Sequence, residues 1–238
     1  MFLIPPKARF AASARKQGSG GGATDPDFAD VSLLLHMDGS NGSTTFTDSS
    51  SNALTVTANG NAQISTAESK FGGSSALLDG TGDYLSAGVA AFDPGTSDFT
   101  IEWWQKLSAT NVSYSAISLG AIGGVRASDG LIQLYTNGGF ATNVAANAVG
   151  VNNTDWNYIA ISRTGTTCRI FLNGTLLTND AANAMQSNLT GVDRFDIGRN
   201  NSSYGNAFNG YIDELRVTVG TNRYTANFTP PTAPFPDS

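Results

Sequence analysis

Few side chains in this sequence could do chemistry. Asp213 and Glu214 are neighbours in GYIDELRVTV, Glu102 stands in DFTIEWWQKL, and Asp38 follows an apolar run in LLLHMDG. There is one histidine, His36, and one cysteine, Cys168. A glycosidase pair needs two carboxyls flanking one bond from the same cleft, about 5 to 9 Å apart. Strand side chains alternate, so Tyr211, Asp213, Leu215 and Val217 are expected on one face and Ile212, Glu214, Arg216 and Thr218 on the other. The two acids then point apart, which argues against catalysis. Asp213 would lie in register with apolar residues, where a carboxylate needs a partner, and Glu214 is expected to pair with Arg216 at the surface. A single cysteine excludes an intramolecular disulfide, and with a single histidine it excludes a Cys/His zinc site. Cys168, in TTCRIFL, reads as a small sheet residue, and His36 as structural, because nothing offers it a triad.

The composition suits an all-β protein. The 238 residues are 40% hydrophobic and only 13% charged, enough for a substantial core built from short strands and tight turns. From Asp30 onward, VSLLLHM, SALLDG, DYLSAGV, DFTIEWWQKL, YSAISLG, LIQLYT, YIAISRT, CRIFLNG, FDIGRN and YIDELRVTV read as strands. Asn173-Gly174 and Asn137-Gly138 are type I′ hairpin signals, which point to antiparallel pairing. In DFTIEWWQKL, Phe99, Ile101 and Trp103 share an apolar face, against Thr100, Glu102, Trp104 and Lys106, as a two-sheet sandwich requires. No repeat of 20 to 50 residues recurs, which argues against a propeller or solenoid.

Charge divides the chain. Residues 1 to 24 carry Lys7, Arg9, Arg15 and Lys16 and no acid, a charge of +4, whereas the remainder carries −10, together the net −6. The basic piece ends in QGSGGGAT, a Gly/Ser linker, and so reads as an anchoring arm tethered to an acidic domain over residues 25 to 238. It is expected to be mobile alone and to order on a partner, with Phe2, Leu3 and Ile4 in an apolar pocket. Four charges without interleaved aromatic residues argue against nucleic acid. The opening MFLIPP is too short for the apolar core of a secretory signal, and no run approaches a membrane span, so a soluble protein is expected.

Five pieces in order, LLLHMDGSNGSTTFTDSS, KFGGSSALLDGTGDYLS, DFTIEWWQK, ISRTGTTCRIFLNGTLL and FNGYIDELRVTVGTNRYTANFTPP, resemble the laminin-G-like jelly-roll domains of the concanavalin A-like lectin/glucanase superfamily. The resemblance runs from about residue 30 to about residue 235. It implies an antiparallel two-sheet jelly-roll sandwich. The closing RYTANFTPPTAPFP resembles the form such domains take in bacteriophage structural proteins. The glucanase members carry Glu-x-Asp-x-x-Glu or Glu-x-Asp-x-Glu, which nothing here matches, so a non-enzymatic domain is expected. The resemblance also implies a structural calcium, for which Asp38 and Asp213 are the candidates if the first and last strands lie together; the alternative is that Asp38 makes a turn with Gly39 and Asp213 accepts backbone N–H groups. A sugar site would need aromatic and amide groups in loops, and Tyr204, Phe208 and Asn201 of RNNSSYGNAFNG, with Trp104 on its strand, are candidates. Together these readings give a virion protein, capsid decoration, fibre or tail-associated. It would be held by the arm to other virion proteins in an oligomeric assembly and displayed outward toward cell-surface glycans. The alternatives are an extracellular bacterial carbohydrate-binding or adhesion module and, third, a glycoside hydrolase.

Overall fold

The computed structural model describes residues 24–110, 113–128, 131–136, 146–147, 154–177, 189–199 and 207–238. Alternating apolar residues in these segments build sixteen described strands. In chain order they are β1 (Val31–Leu35), β2 (Thr45–Thr47), β3 (Thr55–Asn59), β4 (Gln63–Ser65), β5 (Ser75–Asp79), β6 (Tyr84–Ser86), β7 (Phe99–Leu107) and β8 (Tyr114–Ser118). There follow β9 (Gly123–Ser128), β10 (Leu131–Thr136), β11 (Ala146–Asn147), β12 (Asn157–Thr164), β13 (Thr167–Leu172), β14 (Thr175–Leu176), β15 (Asp196–Ile197) and β16 (Asn209–Val219). Three short 3-10 turns are the helical content among the described residues.

The strands form two antiparallel sheets, a jelly-roll sandwich. The first runs β14-β13-β12-β7-β16-β5-β4, with β1 added beside β16, and the second runs β11-β10-β9-β8-β15-β6-β3-β2. Between them lies one apolar core, including Leu33, Leu35, Phe99, Ile101, Trp103, Ile159, Ile161, Leu215 and Val217 from the first sheet and Leu85, Ile117, Val125, Leu134 and Ile197 from the second. The Asn173-Gly174 hairpin is present: Leu172 pairs with Thr175, and both turn residues have positive φ, 50° and 77°. Asn137-Gly138 lies outside the described residues.

The outer face of the first sheet carries an apolar cluster of its own. Val31, Leu34, Trp104, Tyr158, Ala160 and Phe171 form a second cluster with Tyr224 and Phe235 of the chain after β16. This C-terminal segment crosses the sheet as a third layer. Tyr224 stacks on Phe228 at 3.7 Å, the Phe228 N–H donates to the Gly174 carbonyl at 2.9 Å, and Leu176 N–H donates to Asn227 Oδ1 at 2.8 Å. Gly174 is required there, since a Cβ would lie 2.0 Å from the Phe228 carbonyl oxygen. Asp25 N–H donates to the Ser238 carbonyl at 2.6 Å, so the first described residues and the last lie side by side.

Candidate functional site

The acids of YIDEL sit at a seam. One flank of β16 pairs with β5 through Asn209 to Ile212 and then with β1 through Leu215 to Thr218, while β7 runs along its other flank. At the handover the register against β7 slips: Asp213 faces Trp104 and Arg216 faces Glu102, so Glu214 and Leu215 oppose one residue. Glu214 takes φ 49°. This is a β-bulge, and an extra residue shifts the alternation by one. Ile212 and Leu215 both point into the sandwich core, so Asp213 and Glu214 both fall on the outer face. Strict alternation had put them on opposite faces and had set Asp213 in line with Leu215; the bulge overturns both expectations.

Asp213 is buried. Its Oδ2 accepts the Lys70 and Phe71 backbone N–H groups at 2.6 and 3.1 Å, and its Oδ1 has no hydrogen-bond partner among the described residues. Burial pushes the carboxyl up to about 7, against the pull of those two amides. Asp38 is exposed and flanks the same turn: a Cβ on Gly72, whose φ is +62°, would lie 1.9 Å from Asp38 Oδ1. The charge of Asp38 also helps to raise the Asp213 carboxyl. The structure thus brings the two candidate ligands to one turn, and Asp213 also makes the backbone hydrogen bonds of the alternative reading. An unpartnered buried carboxylate oxygen beside a second carboxylate fits a hard cation. Among the described residues no three His, Cys, Asp or Glu side chains gather, so backbone carbonyls and water would complete the shell.

Glu214 does not pair with Arg216. It accepts from the Phe235 N–H at 2.8 Å and meets His36 Nδ1 at 2.9 Å, while His36 Nε2 meets Asp237 Oδ1 at 2.7 Å. Burial opposes the imidazolium, but Glu214 and Asp237 outweigh it and lift His36 to about 9. Arg216 is buried instead of exposed. Its Nε donates to Glu102 Oε1 at 2.8 Å and its Nη1 to Asp25 Oδ2 at 2.9 Å, and the Phe235 ring centre lies 3.9 Å from the guanidinium. Arg223 adds two bonds to Asp25, at 3.0 and 2.7 Å. Glu102 Oε2 accepts from Tyr224 OH at 2.7 Å and from Tyr158 OH. Desolvation, reinforced by Glu102, raises both phenols. Every acid here is committed to holding the terminal segments on the sheet.

Two proposed sugar contacts are enclosed. Phe208 is wholly buried, edge-on to Tyr114 at 5.3 Å. Trp104 is 5% exposed, packed among Phe71, Tyr158 and the Lys70 ammonium, which lies 3.8 Å from its ring. Neither ring can serve as a platform without opening the sheet. Tyr204 and Asn201, and the arm residues Lys7, Arg9, Arg15 and Lys16, lie outside the described residues. Cys168 is buried and its thiol is pushed up to about 12 by desolvation, an unreactive core residue.

The outer face of the second sheet differs from that of the first. Between β15 and β2, Leu85, Ile197, Val56 and Phe46 point inward, so Tyr84, Ser86, Asp196, Thr57, Asn59, Thr45 and Thr47 point out. Thr45, Thr47 and Thr57 are exposed and Tyr84, Ser86 and Asn59 half-buried. Arg199, just after β15, lies 4.5 Å from the Tyr84 ring centre and donates from Nη1 to Asp196 Oδ2 at 3.2 Å. The sequence reading missed Tyr84 and Arg199. The alternation in DYLS, with Tyr84 and Ser86 flanking Leu85, was the signal available.

The sequence profile of the Laminin_G_3 family, described as concanavalin A-like lectin/glucanases superfamily, matches residues 79–220. A comparison with curated proteins found no match. Among solved structures, the binding domain of Paraclostridial Mosquitocidal Protein 1 superposes with TM-score 0.56 at 13% identity over 80% of this chain and 49% of that one. The chain therefore spans about half of that domain. Domain 4 of AbnA, a GH43 extracellular arabinanase from Geobacillus stearothermophilus solved in complex with arabinotriose, gives TM-score 0.54 at 19% identity, covering 80% of this chain and 93% of that one. Trypanosoma rangeli sialidase in complex with sialic acid gives 0.56 at 11% identity over 80% of this chain and 31% of that one. These likenesses are of fold. With its two-sheet jelly roll and a family match over more than half its length, the chain belongs to the concanavalin A-like lectin/glucanases superfamily.

Proposed function

We propose that this protein is a non-enzymatic glycan-binding module, with its site on the outer face of the second sheet between β15 and β2. The observation that carries this reading is the contrast between faces. The first sheet's outer face is sealed by the chain's own C-terminal segment, whereas Tyr84, Ser86, Thr57, Asn59 and Arg199 present hydroxyls, an amide and a guanidinium to solvent. Such groups match sugar hydroxyls, and rigid strands hold them in place. Absence of catalysis is supported by the sealed position of Glu102, Asp213 and Glu214, which leaves no cleft in which two of them could flank a glycosidic bond. Asp38 and Asp213 would hold a structural calcium, whose charge would match the buried carboxylate and tie the Lys70–Gly72 turn to the seam. The AbnA domain, with its bound arabinotriose, lends support to glycan binding by this fold.

In the fuller reading the module is displayed on the outer surface of a virion, with Lys7, Arg9, Arg15 and Lys16 of the arm docking on an acidic partner protein. The division of charge, +4 against −10, supports this. The module is tested by a glycan array with the full chain, followed by titration of each hit with Tyr84→Ala and by an assay for released sugar. Binding that is weakened at least tenfold by the variant, with no sugar released, is expected. Hydrolysis, or binding indifferent to Tyr84, would overturn the assignment.

A further inference from the structure

Arg199 lies on the open face of the second sheet, against Tyr84 and Asp196. A neutral sugar is held by stacking its C–H face on a bare aromatic ring, and among the described residues Tyr84 is the aromatic one on the open face between β15 and β2. Its ring carries the Arg199 guanidinium at 4.5 Å. The group presented beside the ring is therefore a cation. Arg199 has five N–H donors, and among the described residues its polar side-chain contact is the Nη1 bond to Asp196 at 3.2 Å. Its side chain is 38% exposed, whereas that of Asp196 is 2% exposed. The buried carboxylate and the ring fix the guanidinium from behind and leave N–H groups unspent toward solvent. A planar fork held in this way is arranged to take two oxygens of an anion with little further loss of side-chain freedom.

The surroundings supply the remainder of a saccharide site. Asn59 pairs across from Tyr84, and Thr57 pairs with Ser86, which in turn faces Asp196. Amide and hydroxyl groups thus line the strands beside the guanidinium. The domain as a whole carries −10 over residues 25 to 238. An acidic polymer is repelled at long range by such a surface, but that repulsion is screened beyond about 8 Å at physiological salt. An exposed, half-paired arginine on an acidic domain then acts as a local determinant of specificity more than as a source of attraction.

We infer that the outer face of the second sheet selects acidic saccharides, with Arg199 holding a sugar carboxylate in a bidentate pair and Tyr84 orienting the guanidinium. This rests on the glycan-binding reading above and narrows it to a ligand class. Sulfated sugars present similar oxygens, so the experiment separates the two sources. The full chain is titrated calorimetrically with tri-galacturonate, with its methyl ester, which is neutral and otherwise the same, and with a sulfated trisaccharide. In parallel it is screened on an array that includes neutral glycans. The expected result is binding of tri-galacturonate, at least tenfold weaker binding of the ester, and at least a tenfold loss for the acid with Arg199→Gln while binding of the ester is unchanged. Arg199→Lys should recover part of that loss at most, because an ammonium cannot make the two parallel bonds, and the melting temperatures of the variants report that the fold is kept. Preference for the sulfated sugar, equal binding of acid and ester, or indifference to Arg199→Gln overturns the carboxylate assignment. Binding confined to neutral glycans overturns it while leaving the glycan-binding module standing, and an array without any signal overturns both.

Discussion

At the scale of single residues, two titratable groups at the seam respond to pH in ways that can be separated. The Asp213 carboxyl rises to about 7 in the fold from an unfolded value near 4. A carboxyl raised on folding favours the native state fully below its unfolded value, and that contribution disappears as pH rises through about 7. Without a cation the domain should therefore lose stability between pH 4 and 7 through this group. Calcium at 100 times its dissociation constant should add about 2.7 kcal/mol, read as a higher melting temperature at pH 8. Asp213→Asn should abolish both the calcium response and the pH slope; a variant that keeps its response to calcium would remove Asp213 from the site. His36 moves in the other sense. Raised to about 9 by Glu214 and Asp237 against the effect of burial, it contributes stability that is fully present below its unfolded value near 6.5 and lost as pH rises through 9. His36→Gln should melt earlier than the parent at pH 6, by an amount on the order of 1–3 kcal/mol, and converge with it at pH 10. Parallel melting curves across that range would show the clamp to be inert.

At the scale of elements, the segment Thr24 to Asp30 and the segment after β16 are bound to the first sheet by one network of charges. Asp25 stands at its centre, with Arg216 and Arg223 both on its carboxylate. Removing one partner of a buried ion pair leaves an uncompensated charge and costs about 3–5 kcal/mol. Asp25→Ala should thus lower stability by that order, measured by urea unfolding, whereas deletion of residues 1 to 24 should leave it nearly unchanged. If the truncation were as damaging as the substitution, the structural boundary would lie earlier than Asp25. The strands themselves were readable where alternation was strong, as in β7, β12 and β13. The reading gave β14 only as the far side of the Asn173-Gly174 turn and missed β2, β3, β4, β9 and β11, which are short or rich in Thr, Gly, Ser and Asn: TFT, TVTAN, QIS, GGVRAS and AN. Such stretches become strands because longer neighbours offer them backbone partners, a tertiary effect that local pattern does not carry.

At the scale of the whole molecule, the two sheets have unlike outer faces, one sealed by the chain and one presenting polar groups. The described chain begins on the sealed side, since Asp25 bonds to Arg216 of the first sheet and to Ser238. In the virion reading, deleting residues 1 to 24 should prevent incorporation into particles while glycan binding by the free domain persists, measured by particle occupancy and by titration. Normal occupancy of the truncated protein would end the anchoring role of the arm.

The all-β class, the antiparallel sandwich, the Asn173-Gly174 hairpin and the charge division were legible in the amino-acid order, because each rests on local pattern: period-two alternation, turn chemistry and counted charges. Five ordered pieces along the chain also carried the superfamily. The tertiary structure decided the chemistry of the candidate sites. Whether Asp213 and Glu214 share a face depends on one extra residue in β16, and a single slip reverses every assignment beyond it. Trp104 and Phe208 looked available in the sequence and are enclosed because Tyr224, Phe228 and Phe235, scattered through a proline-rich tail, return to cover one sheet, and because Tyr114 receives Phe208 at the other. Arg216 looked like a surface charge and is buried because Asp25, 191 residues away in sequence, meets it. Contacts between such distant positions arise from the packing of sheets and tail, and no local period encodes them.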